Sequence, residues 1–136
     1  MNMDDVKRLM NEIGWGDLAT SDGKTVGVRP MGGWAWIGKE LWSATAASSD
    51  KVAQLRKVPH AEYCFGKEDG THVRLAGRCT VSTDSKDKRR LYDAVPVLKD
   101  HIKDPASPEY VVIRMRPDRV RVMVPPNLGY TEVKPV

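Results

Sequence analysis

Val6, Leu9, Met10 and Ile13 recur at the i, i+3, i+4, i+7 spacing of one helix face, with Asp4 and Asp5 in the first turn where the helix dipole favours negative charge. The pattern predicts an amphipathic helix over residues 3–13, closed by Gly14. The period then changes to two. Residues 16–21 read as a strand, Asp22-Gly23 as a hairpin turn, and 25–37 as a return strand interrupted by Pro30 and Gly32-Gly33, a sign of an edge, a bulge or a close backbone approach. After a turn at Gly38-Lys39, Leu41, Ser43 and Thr45 alternate with Trp42 and Ala44 in a further strand. A helix of about ten residues follows, with Ser48 or Ser49 as N-cap, Val52 and Leu55 as its apolar stripe, and Pro59 as its stop.

The alternation resumes in 60–66 and 72–83, joined by a turn at Lys67–Gly70, with Val73, Leu75, Cys79 and Val81 inward and His72, Arg74, Arg78 and Thr80 outward. Residues 85–104 predict one helix broken near Pro96, and Pro105–Pro108 a loop. Strands over 111–115 and 120–124 flank an expected turn at Pro117-Asp118. Six or seven mainly antiparallel strands interrupted by three helices suit a small closed barrel better than a sandwich.

A length of 136 residues fits one domain over 1–136, and 16 Val against 8 Leu agrees with a strand-rich chain. The apolar runs are far too short to cross a bilayer and the N-terminus has no signal-like apolar region, so a soluble, cytoplasmic protein with no membrane partner is expected. Two cysteines, Cys64 and Cys79, exclude a disulfide framework and a cysteine-based zinc site, and both read as small buried hydrophobes. No metal is expected. The net charge of +4 suits an anionic partner without naming one.

The informative segment is Thr45-Ala-Ala-Ser48-Ser49-Asp-Lys51. A strand end, two hydroxyls, a helix start with unbonded amides and a lysine converge there, a set suited to a phosphate monoester. Arg29 would add a second cation, since a guanidinium fork matches phosphate oxygens. The plainer alternative is a serine-capped helix with solvated Lys51 and Arg29. Trp34, Trp36 and Trp42 on neighbouring strands would pack in a core or an interface, or wall a ring pocket. The run Lys86–Arg90 reads as a solvated helix face.

The ordered series LATSDGKTVGVRPMGG, ELWSATAASSDKVAQLRKVPHAEYCF and HVRLAGRCTV, over roughly residues 14–84, resembles the pyridoxamine 5'-phosphate oxidase-like FMN-binding split barrels, in particular their short general-stress-protein-like members. The resemblance implies a mainly β fold with inserted helices, a six- to seven-stranded antiparallel split β-barrel. It also implies FMN as cofactor, with Arg29 on the phosphate, the backbone of Pro30 and Met31 along the ring, and Ala44, Thr45, Ser48, Ser49 and Lys51 around the phosphate and ring edge. His72 stands where the oxidases carry a glutamine toward the flavin's polar edge. A homodimer with the flavin at its interface is implied as well.

The chain departs from the oxidases in two places: Asp50 replaces the arginine before the lysine, and the ending PPNLGYTEVKPV has no substrate-binding Arg-x-His. Pyridoxamine phosphate oxidation is therefore not expected. The leading reading is an FMN-dependent oxidoreductase of unknown substrate and electron donor, with no residue marked as catalytic acid or base. A non-catalytic flavin-binding stress or sensor protein is the second reading, and deazaflavin or haem on the same fold stays open. The third is a nucleic-acid-binding barrel, drawn from Arg74, Arg78, Arg114, Arg116, Arg119 and Arg121 on polar strand faces, although a single Phe supplies no stacking ladder.

Overall fold

The computed structural model describes residues 1–135. Helix α1 (Met3–Ile13) is followed by strands β1 (Gly16–Ser21), β2 (Val26–Met31), β3 (Trp34–Ile37) and β4 (Glu40–Ala46). Helix α2 (Asp50–Lys57) leads to β5 (His60–Gly66) and β6 (His72–Ser82), then α3 (Ser85–Ala94), α4 (Leu98–His101), β7 (Tyr110–Val124) and β8 (Asn127–Val133). One antiparallel sheet takes the order β2-β1-β5-β6-β7-β4-β3. Strand β7 is the spine: β6 pairs along most of its length, while β4 pairs with its first half and β8 with its second. The class is mainly β, a curled split barrel.

Local chemistry explains the elements. Asn2 caps α1 reciprocally with Asp5, whose backbone N–H donates to Asn2 Oδ1 at 3.0 Å while Asn2 N–H donates to Asp5 Oδ2 at 2.9 Å. The β1–β2 hairpin turns on Asp22, whose Oδ1 accepts from the backbone N–H groups of Lys24 and Thr25 at 2.9 and 2.8 Å. Helix α1 sinks Val6 and Met10 fully into the main core beside Leu18, Tyr63, Phe65, Leu75, Ile113 and Met115. Each such side chain contributes on the order of 2 kcal/mol. A second cluster lies on the other face of β4 and β7, where Trp42, Tyr110 and Val112 pack against Leu91, Tyr92 and Val95 of the α3 region and Leu98 of α4.

Several expectations are corrected. The 25–37 segment is two strands, because the chain bends at Gly32-Gly33 after Pro30. Pro117-Asp118 is not a turn: β7 runs through it, and a register shift between Ala76 and Gly77 places Pro117 opposite Gly77. A side chain at 77 would put Cβ 2.2 Å from the Arg116 carbonyl oxygen, so only glycine fits the bulge. The expected helix break near Pro96 is present, separating α3 from α4. The eighth strand, β8, pairs where no element was expected.

The three tryptophans divide between faces, Trp34 and Trp36 against the main core and Trp42 in the second cluster. Cys64 is half-buried and Cys79 buried; both are free thiols, and burial pushes Cys79 up to about 12. Among the described residues no helix is long and apolar enough to cross a membrane, and no group of three or more His, Cys, Asp or Glu side chains is placed to hold a metal.

Candidate functional site

The β1–β2 register pairs Leu18 with Arg29 and Thr20 with Gly27, so all four positions share the face on which Leu18 is fully buried. Helix α2 lies across this end of the hairpin. Arg29 is anchored there through one nitrogen: Nη1 donates to Thr20 Oγ1 at 2.6 Å, Gly27 O at 3.2 Å and Leu18 O at 3.3 Å. The buried Thr20 hydroxyl in turn donates to Gln54 Oε1 on α2. Among the described residues Arg29 has no carboxylate partner.

Alternation along β4 puts Thr45 on the same face as the buried Leu41 and Ser43. Lys51 Nζ donates to Thr45 Oγ1 at 2.6 Å. Ser49 occupies the N-cap position of α2, but its hydroxyl donates to Ala46 O at 2.8 Å and makes no capping bond. It lies 3.5 Å from Thr45 Oγ1. The first amides of α2 therefore keep their donors without a side-chain acceptor.

The electrostatics follow from this crowding. Burial pushes Arg29 below its ordinary value, with nearby Asp50 opposing the shift. Burial also lowers Lys51, and the neighbouring Arg29 charge lowers it further, again against Asp50. Asp50 forms no salt bridge with either, so among the described residues two half-buried cations, close enough for the Arg29 charge to be felt at Lys51, have no carboxylate in contact. A bound anion would relieve that arrangement.

Thr45, Ser49 and Lys51 are thus in contact, and Arg29 lies near enough for its charge to lower Lys51. Ser48 is not available in the same way, because the β4–β7 register sets Ala46 opposite Tyr110 and brings Glu109 against the turn. Glu109 Oε1 accepts from the Ser48 amide at 3.2 Å and from its hydroxyl, and these bonds hold the Glu109 carboxyl below its usual range. Pro30 is exposed and Met31 buried at the end of β2. Ala44 faces away from the cradle and lines, with Gly33, Thr45, Leu98, Ile102 and Tyr110, a cavity of about 550 Å³ between β4 and α4.

His72 lies apart. It starts β6 on the outward face, opposite Gly66 and Met123, so one chain does not bring it to the cradle. Its Nδ1 donates to Gly70 O at 2.8 Å, which leaves Nε2 to accept the Tyr130 hydroxyl at 2.8 Å. Sequence reasoning missed Thr20, Gly27 and Gln54. Their signals were a polar residue at an inward strand position and a glutamine one turn beyond Lys51.

The outward arginines are mostly neutralised. Glu62 accepts from Arg74 at 2.7 Å and from Arg121 at 2.9 Å, Glu132 from Arg119 at 2.8 Å, and Arg114 is shared between Glu40 and Asp87 at 2.9 and 3.0 Å. Only Arg78 and Arg116 of the six have no acidic partner among the described residues, so no continuous basic stripe runs along the sheet.

A family profile described as pyridoxamine 5'-phosphate oxidase matches residues 3–124. No curated protein matches the sequence. Among solved structures, a NimC/NimA family protein from Clostridium acetobutylicum superposes with a TM-score of 0.83 at 20% identity, covering 96% of this chain and 90% of that one. General stress protein 26 from Bacillus anthracis gives 0.72 at 21% identity, over 93% of this chain and 98% of that one. A pyridoxamine 5'-phosphate oxidase-related, FMN-binding protein from Nostoc punctiforme gives 0.69 at 15% identity, over 95% and 93%. At these identities the structural likeness establishes the fold.

Proposed function

Because the chain belongs to the pyridoxamine 5'-phosphate oxidase family, we propose that it is an FMN-binding flavoprotein acting as an oxidoreductase, with the cofactor phosphate held by Arg29, Thr45, Ser49 and Lys51. The observation that carries this reading is the pair of half-buried cations, Arg29 and Lys51, with no carboxylate in contact. A phosphate monoester supplies the missing charge and accepts from Lys51, from Arg29 and from the uncapped amides of α2. FMN would supply the redox chemistry, passing electrons between a donor and an acceptor. The protein's own part is to bind and orient it: the Pro30–Met31 backbone and Ala44 would flank the ring, and the cavity under α4 leaves room beside it for a small reactant.

We extend the proposal to a homodimer with the flavin at its interface. Val26 and Val28 on the edge strand β2 are 72% and 65% exposed, an apolar strip on the face opposite Arg29 that a second copy would cover. Such a copy is also what would carry His72 to the flavin's polar edge. No side chain in the cradle is a strong candidate acid or base, which favours flavin-binding without dedicated turnover as the second reading. The nucleic-acid reading is disfavoured by the carboxylates that neutralise Arg74, Arg114, Arg119 and Arg121.

The visible spectrum of protein purified without added cofactor tests the cofactor. Flavin absorption that comigrates with the protein and is released as FMN supports the reading, and a colourless protein that FMN does not perturb overturns it.

A further inference from the structure

Arg29 is held in place by groups that a phosphate would not touch. Its Nη1 meets three protein acceptors, Thr20 Oγ1, Gly27 O and Leu18 O, so the two N–H bonds of that nitrogen are already engaged. Nη2 and Nε have no acceptor among the described residues. They form one edge of a planar fork, the edge suited to two oxygens of a single phosphate.

What sets the direction of that edge is the surface behind it. The guanidinium lies across Gly27, where a Cβ would stand 2.3 Å from Arg29 Nη2 and 3.2 Å from both Arg29 Cζ and Gln54 Oε1. Thr20 is 2% exposed, and its hydroxyl donates to Gln54, which turns its lone pairs toward Arg29. Gln54 lies one turn beyond Lys51 on α2, so the two residues share a helix face. The same helix therefore carries Lys51 to Thr45 and fixes the clamp on Arg29.

We infer that Thr20, Gly27 and Gln54 are positioning residues that preset Arg29 for a phosphate monoester, so that phosphate recognition depends on three residues outside the cradle. The inference rests on the reading of the cradle as a phosphate site. It assigns to Gly27 a requirement of space: the colliding atoms belong to the movable end of Arg29, so Gly27→Ala leaves the fold intact and displaces the guanidinium.

The test titrates flavin-free protein with FMN and with riboflavin, following flavin fluorescence, for wild type, Gly27→Ala, Thr20→Val, Thr20→Ser, Gln54→Leu, Arg29→Ala and the Gly27→Ala/Arg29→Ala double variant. Gly27→Ala, Thr20→Val and Gln54→Leu are expected to lose about tenfold or more in FMN affinity, the scale of a charge-assisted hydrogen bond, with riboflavin affinity unchanged. Thr20→Ser, which keeps the hydroxyl, should retain FMN affinity. In the Arg29→Ala background Gly27→Ala should cost nothing further, because its effect acts through Arg29. Loss of FMN affinity in Arg29→Ala but not in the three positioning variants overturns this inference alone. An Arg29→Ala protein that binds FMN like wild type overturns the cradle itself.

Discussion

Two sets of cations in the fold have opposite fates. On the outward face, Glu62 bridges Arg74 and Arg121, and Glu132 holds Arg119 across the β7–β8 pair. On the inward face at the α2 end, the Arg29 charge lowers Lys51, and the hydrogen bonds of both go to hydroxyl and carbonyl oxygens, with Asp50 nearby but in salt bridge with neither. The first set is closed chemistry, a network whose charges cancel within the chain. The second is open, and its uncancelled charge is what an anionic cofactor would answer. Alternation of residues along strands is the same in both places, and the difference lies in whether a carboxylate from a neighbouring element reaches the cation.

That contrast can be broken deliberately. The largest effect is expected from Lys51→Ala, which should weaken FMN by about 1.5 to 3 kcal/mol in a binding titration, while Lys86→Ala on the exposed start of α3 should leave it unchanged. Next, Gln54→Glu would give the inward cations the carboxylate that the outward ones already have. FMN affinity should fall about tenfold, and a cradle that tolerates the added acid is not an anion site. The converse, Glu62→Gln, frees Arg74 and Arg121 on the outward face. It should cost about 1 kcal/mol in denaturant unfolding, limited by partial solvent exposure, without altering FMN affinity.

A smaller effect is expected from pH. Burial and the Arg29 charge hold the Lys51 ammonium below the ordinary lysine value, and a bound phosphate would raise it again. Affinity is then complete below the lowered value and is lost as pH rises through it. The decline, about twofold at the lowered value itself, should begin at pH values where ordinary lysines are still charged. A flat titration curve through the alkaline range contradicts the placement of Lys51 on the phosphate.

Much of this was legible in the sequence because it is local. The β1–β2 hairpin, the Thr45-to-Lys51 segment and the broken α3–α4 pair rest on turn residues, caps and periodicity within a few positions. What was hidden depends on partners far along the chain. Ser48 is tied to Glu109, 61 positions away, and Thr20 to Gln54, 34 positions away. Only the β4–β7 register and the packing of α2 reveal these. The continuity of β7 through Pro117 depends on the bulge opposite Gly77 in another strand, and β8 exists because β7 outruns β4 and leaves an edge to pair. His72 was correctly placed at a strand start, but its partners, Gly70 and Tyr130, put it on the face away from Arg29.

The central claim is that an uncancelled pair of cations makes this a phosphate site. Calorimetric titration of flavin-free protein with FMN and with riboflavin, which differ only in the phosphate, tests it most directly. The account predicts FMN binding tighter by at least about tenfold, the worth of one charge-assisted contact, with the advantage shrinking at high salt. Equal affinities for the two ligands would contradict it.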